Sequence, residues 1–101
     1  MRKYYVYIMC NKKFTTLYIG VTNNLEQRVL QHKTGKVSSF TNKYNIQCLL
    51  YYEELTDVSN TINREKQLKN WHRDWEWNLI KSQNPDLVDL AKDWYDEETL
   101  K

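Results

Sequence analysis

Glycine, proline, cysteine and histidine are all scarce in this chain: 101 residues hold two glycines, one proline, two cysteines and two histidines. So few glycines and prolines exclude long flexible linkers, and neither an internal repeat nor a low-complexity segment is present. Cys10 and Cys48 form no CxxC pair and join no metal-ligand cluster, which excludes a zinc site of the usual spacing. Both fall in apolar, strand-like runs, where a free cysteine behaves as a small buried hydrophobe. A reducing cytoplasm suits such a pair. No apolar run approaches the length that spans a bilayer, so no membrane partner is expected. The short apolar run after Arg2-Lys3 is rich in tyrosine and lacks a small-residue cleavage site, unlike a signal peptide.

What is present describes one small globular domain. Hydrophobic residues make up 41% and charged residues 28% of the chain, a balance that suits a folded core and excludes disorder. The net charge of +2 conceals an asymmetry. Residues 1–81 carry 13 Lys/Arg against 7 Asp/Glu, whereas residues 82–101 carry 2 against 6. The division expected is a body over residues 1–83 and an acidic C-terminal helix or tail over 84–101 that packs on it or extends it. A basic body attracts polyanions, although a solvated surface with an acidic tail accounts for the same numbers.

Residues 3–10, rich in Tyr, Val and Ile, read as a strand. A polar turn from Asn11 to Thr16 leads to a second strand, Leu17 to Thr22. Strand alternation allows an antiparallel hairpin to place Tyr7 and Tyr18 on one face. Asn24 with Gln27 forms a capping box for a helix that ends at Gly35. Residues 36–44 read as a loop and 46–54 as a third strand. Asp57 starts a second helix through Lys69, and a third runs from about Trp71 to Ser82. Asn84-Pro85 breaks it, and a short acidic helix follows. The fold class expected is α+β: a small three-stranded antiparallel sheet flanked by helices, in the order β-β-α-β-α-α.

Several residues sit oddly in a pure scaffold. On the second helix Val58, Ile62 and Leu68 define an apolar stripe, and Glu65 falls within it. A carboxylate there is either paired with a neighbouring cation or a metal ligand in a cleft. Arg28 and His32, at i and i+4, share a helix face. They form either a solvent-facing charged stripe or a phosphate-binding fork beside a proton-handling imidazole. Trp71, Trp75 and Leu79 share another helical face, which reads as core, and Asn78 borders it.

Taken together these residues resemble the GIY-YIG nuclease family over almost the whole chain. Tyr5-Val6-Tyr7 stands at the GIY position, with tyrosine where the family name has glycine, and Tyr18-Ile19-Gly20 is the YIG element. Asn24-Leu25-Glu26-Gln27-Arg28 followed by His32 is similar to the family's arginine helix, and Arg64-Glu65-Lys66-Gln67-Leu68-Lys69 to its glutamate helix. Ser38-Ser39-Phe40-Thr41 and the stretch from Trp71 to Pro85 resemble the small, standalone bacterial members. The domain is similar to that of the excision-repair nuclease subunit.

The resemblance implies a divalent-metal-dependent endonuclease that hydrolyses phosphodiester bonds, in DNA before RNA, in DNA repair or processing. It implies that Glu65 holds one Mg²⁺ or Mn²⁺ ion, with water and phosphate oxygens completing the shell. Arg28 then stabilises charge on the scissile phosphate. One of Tyr7 and Tyr18 assists the attacking water while the other orients it or the phosphate, and His32 supports proton transfer or phosphate contact. Gly20, Asn78 (at the family's late asparagine) and Lys69 support the site or contact substrate. A monomer or weak dimer is expected, with a protein partner supplying target specificity. The alternatives are a nucleic-acid-binding module with little or no turnover, and a partner-interaction domain that docks through its tail and tryptophans.

Overall fold

The structure is a computed structural model that describes residues 2–100. The hydrophobic run Val6 to Cys10 explains why the first strand, β1 (Tyr4–Cys10), lies at the centre of the sheet, because all five of these residues are fully buried. β2 (Leu17–Thr22) and β3 (Cys48–Leu55) pair with it antiparallel on either side, giving the order β2-β1-β3. The helices are α1 (Leu25–Lys33), α2 (Ser39–Lys43), α3 (Val58–Lys69) and α4 (Arg73–Gln83). The α+β class, the three antiparallel strands and the order of the main elements are as the sequence predicts. One difference is α2, a single short turn in the stretch expected to be loop. Ser38 caps it by accepting from the Thr41 backbone N–H.

Local signals set the helix starts. The Asn24 side chain accepts from the Gln27 N–H and that of Asp57 from the Asn60 N–H, each satisfying a donor that the first turn would leave bare. Gly35, at φ +73, follows Thr34 at the end of α1, in the left-handed region that glycine enters without a Cβ penalty.

Each face of the sheet has its own core. Val6, Ile8, Ile19, Leu50, Leu68 and Ile80 pack on the side covered by α3 and α4. Tyr7, Met9, Leu25, Val29, Ile46, Leu49 and Ala91 pack on the side covered by α1. A β-bulge makes this division possible. Ile8 pairs with Tyr51 but Met9 with Leu49, leaving Leu50 as the extra residue and sending Leu49 and Leu50 to opposite faces. The carbonyl of Leu50 is satisfied from outside the sheet: the buried Asn84 amide donates to it at 3.1 Å and to Val88 O at 2.8 Å.

Residues 84–91 thus dock along β3, an edge strand. Asp89 accepts from the Leu49 N–H and pairs with Lys33 at 2.6 Å, and the Leu90 N–H donates to Leu49 O. At Leu49 and Leu50 the edge is occupied in this way and closed to another strand. The acidic helix expected after Pro85 is absent among the described residues, where turns take its place. Two further expectations fail on packing. On α3 the buried residues are Thr61 and Leu68, while Val58 and Ile62 are 48% and 40% exposed. Trp75, assigned to the core from its spacing, is 55% exposed.

Candidate active site

Tyr7 on β1 lies opposite Gly20 on β2, and Tyr18 lies opposite Met9 on the same face. A Cβ at position 20 would stand 2.6 Å from the Tyr7 hydroxyl oxygen and 2.7 Å from Cζ. Only glycine lets the Tyr7 ring lie flat across the neighbouring strand. Since β2 is an edge strand, the hydroxyl is carried from the middle of the sheet toward its margin. The two tyrosine rings are 6.2 Å apart, centroid to centroid.

His32, from the last turn of α1, closes over both. Its Nε2 is 3.0 Å from the Tyr7 hydroxyl, and its ring centroid is 5.6 Å from that of Tyr7 and 5.1 Å from that of Tyr18. The imidazole is only 2% exposed, and burial, with Arg28 nearby, holds it neutral by lowering its pKa from 6.5 to about 4. His32 Nδ1 is buried with no hydrogen-bond partner among the described residues. A bare buried N–H is the rarer and costlier defect, a bare lone pair the milder one. This asymmetry assigns the ring proton to Nε2, where it donates to the Tyr7 oxygen and leaves the phenolic proton free for another acceptor.

The remaining groups act on the same oxygen. Burial raises the pKa of Tyr7 well above its ordinary value, and Tyr18 raises it further; the Arg28 guanidinium opposes this rise and the Glu65 carboxylate adds to it. Arg28 and Glu65, from α1 and α3, therefore fall within electrostatic reach of one phenol. Tyr7, Tyr18, Gly20, Arg28, His32 and Glu65 are brought to one margin of the sheet. Lys69, one turn after Glu65, pairs with it at 3.4 Å and is half exposed. Asn78 is exposed on α4 and contacts none of these groups through a hydrogen bond.

Glu65 differs from its neighbour Arg64 in how it is satisfied. Arg64 donates to both oxygens of Glu53 at 2.8–3.1 Å and to Gln67 at 2.8 Å. The Glu65 side chain is 18% exposed and, among the described residues, has only the long ion-pair contact to Lys69. Among the described residues no three His, Cys, Asp or Glu side chains gather as a ligand set. A lone, weakly paired carboxylate fits a hard divalent ion that keeps most of its water and takes phosphate oxygens, and it does not fit zinc.

Glu76, outside the set of residues expected from the sequence, is 8% exposed on α4 and lines a cleft with Tyr18, Phe40, Lys69 and Arg73. Its i, i+4 relation to the buried Ile80 was the available signal.

Residues 3–85 match the GIY-YIG catalytic domain. A UPF0213 protein of Syntrophus aciditrophicus is 39% identical over 90 residues, covering 87% of this chain and 100% of that one. A second, from Staphylococcus haemolyticus, is 34% identical over 80 residues, covering 79% and 96%. The solution NMR structure of a UPF0213 protein from Bacillus halodurans shares the fold, with a TM-score of 0.57 at 21% identity over 89% of this chain and 95% of that one. The glycine under Tyr7, the arginine and glutamate helices and these relatives agree: the chain belongs to the GIY-YIG catalytic domain family, among its UPF0213 members.

Proposed function

We propose that the protein is an endonuclease that hydrolyses phosphodiester bonds in DNA with a divalent cation, Mg²⁺ or Mn²⁺, held by Glu65. The observation that carries this reading is the convergence of Arg28, His32 and Glu65 on the Tyr7 hydroxyl. A binding module needs no weakly paired carboxylate beside a buried, histidine-held phenol. The bound cation would supply Lewis-acid stabilisation of charge on the phosphate.

The chain's own residues do the rest. Arg28 offers a planar fork to the phosphate oxygens. Tyr7 positions the attacking water. Its burial makes the phenolate costly, and the His32 Nε2–H and the Arg28 cation both favour that form, so they set how readily Tyr7 accepts the water's proton. Tyr18, more exposed and beside both rings, orients the water or a phosphate oxygen. Gly20 keeps Tyr7 in place. We place the enzyme in DNA repair or processing in the cytoplasm, with a protein partner directing it to its targets.

The test incubates pure protein with supercoiled, single-stranded and branched DNA and either Mg²⁺ or Mn²⁺, alongside Glu65→Ala. Wild type should cleave, and the variant should lose at least ~100-fold in rate, the order seen when one preorganised electrostatic group is removed. Equal cleavage by both would trace the activity to a contaminant. Binding without cleavage on every substrate would replace the enzyme by a nucleic-acid-binding module.

A further inference from the structure

Next to the tyrosines, between β2 and the helices α2, α3 and α4, lies an open cleft of about 390 Å³. Tyr18 is common to this cleft and to the site just described. Phe40, on α2, forms part of the wall and is 49% exposed; its ring lies 4.9 Å, centroid to centroid, from that of Tyr44, itself 41% exposed. Two cations, Lys69 and Arg73, line the same cleft. The remaining feature is Glu76. As a whole residue it is 8% exposed and lines the cleft, and its carboxylate has no hydrogen bond among the described residues, its oxygens reaching solvent. Arg73, one turn earlier on α4, is the cation that acts on it.

Aromatic faces next to cations suit a nucleotide, with stacking for the base and charge for its phosphates. A carboxylate that reaches a cleft without a protein donor leaves its acceptors open to a ligand. We propose that this cleft binds one unpaired guanine nucleotide beside the scissile phosphate. Phe40 stacks on the base, Lys69 and Arg73 hold its flanking phosphates, and the two Glu76 oxygens accept from N1–H and N2–H of the Watson–Crick edge. Guanine alone presents two adjacent donors there. Thymine would turn carbonyls toward the carboxylate, and a paired base could not present this edge at all. The preferred substrate is therefore single-stranded, frayed or branched DNA. The position of the cut rests on the nuclease reading, whereas the base preference does not.

The experiment measures fluorescence anisotropy with short labelled strands in EDTA: oligo-dT, and the same strand with one central G, A or C. Wild type should bind the G strand about tenfold more tightly than oligo-dT, and Phe40→Ala should weaken every strand by about tenfold, the scale of one lost stacking partner. Phe40→Leu, which keeps apolar volume without a π face, should fall with it. Glu76→Gln should erase the G preference and leave oligo-dT unchanged. Thermal melts confirm that each variant is folded. Equal binding of the four strands by wild type, wild-type affinity in Phe40→Ala, or a G preference that survives Glu76→Gln would each overturn the proposal. Glu65-dependent cleavage that Phe40→Ala leaves intact would retain the nuclease and remove the subsite. Phe40-dependent, G-selective binding with no cleavage of any DNA would do the reverse.

Discussion

On one face of the sheet Val6, Ile8, Ile19, Leu50, Leu68 and Ile80 pack carbon against carbon; on the other, Tyr7 lies against His32 and Tyr18, and a buried histidine nitrogen has no partner. The same central strand supplies both faces, by alternation alone. An orphaned buried polar atom costs about 1–3 kcal/mol, so a domain built only for stability would have filled both faces alike. Aliphatic packing fills the sheet side of α3 and α4, whereas around Tyr7 and His32 on the α1 side stability has been given up for chemistry. The contrast recurs within α3, where Arg64 is fully engaged with Glu53 while Glu65 is left almost free.

The largest effect expected belongs to the aliphatic face. Leu68 is fully buried between α3 and the sheet, and Leu68→Ala should destabilise the fold by about 2–5 kcal/mol through lost burial and the cavity left behind. Urea denaturation reads this as a lower midpoint. DNA cleavage per folded molecule should stay at the wild-type level, and a matching loss of activity would erase the division between faces.

The polar face should reveal itself through pH. In the fold His32 holds its proton only below about pH 4, whereas an unfolded histidine does so below 6.5. The unfolded state therefore binds more protons as pH falls, and stability present above pH 6.5 is lost between 6.5 and about 4. The full contribution of such a shift is about 3 kcal/mol. Glu53 has a carboxyl pKa below its ordinary 4.5 because Arg64 and Tyr51 hydrogen-bond to it, so its loss of stability begins lower on the scale. Melting temperature between pH 6.5 and 4.5 should thus fall in wild type and stay nearly level in His32→Gln. Parallel curves would show that the imidazole is not held neutral.

Gly20 connects the two faces of this comparison, because a backbone position decides where a functional ring lies. In Gly20→Ala the new Cβ must displace Tyr7, at a cost of about 1–3 kcal/mol for an overpacked interior. The Tyr7–His32 contact should open, and an NMR titration should find the His32 pKa raised toward 6.5. A His32 pKa still near 4 would mean that the ring had room to move aside as a unit.

Much of this was legible in the sequence where the cause is local. Asn24 and Asp57 cap the helices they were expected to cap, and period-two alternation placed Tyr7 and Tyr18 on a common face. Failures came where burial depends on partners distant in sequence. Val58 and Ile62 looked like the inward stripe of α3, but Thr61 occupies that place. Its hydroxyl donates back to Asp57 O at 2.7 Å, so it is buried without an unsatisfied atom. Glu65 still faces inward, on the row Thr61, Glu65 and Leu68 rather than the one first drawn. Asn84 read as a breaker because of the proline after it. Its amide instead serves a bulge carbonyl 34 residues away, which no local pattern encodes. His32 offered a helical spacing, but its burial depends on the hairpin opposite.

The smallest effect tests whether the looseness around Glu65 is real. Lys69 lies at i+4 from Glu65, an orientation that favours pairing, but the 3.4 Å contact is long and the lysine side chain is 53% exposed. Such a pair contributes about 0.3–0.5 kcal/mol, so Lys69→Ala should leave the melting temperature almost unchanged. Its effect on DNA should be of another kind. A lysine that contacts a phosphate releases counterions on binding, and removing it should lower the slope of log K against log salt by about 1. Stability held and salt slope reduced would place Lys69 with the substrate. A drop of more than about 1 kcal/mol would instead mean that Glu65 is held by its neighbour as firmly as Arg64 is by Glu53, and the contrast within α3 would be lost.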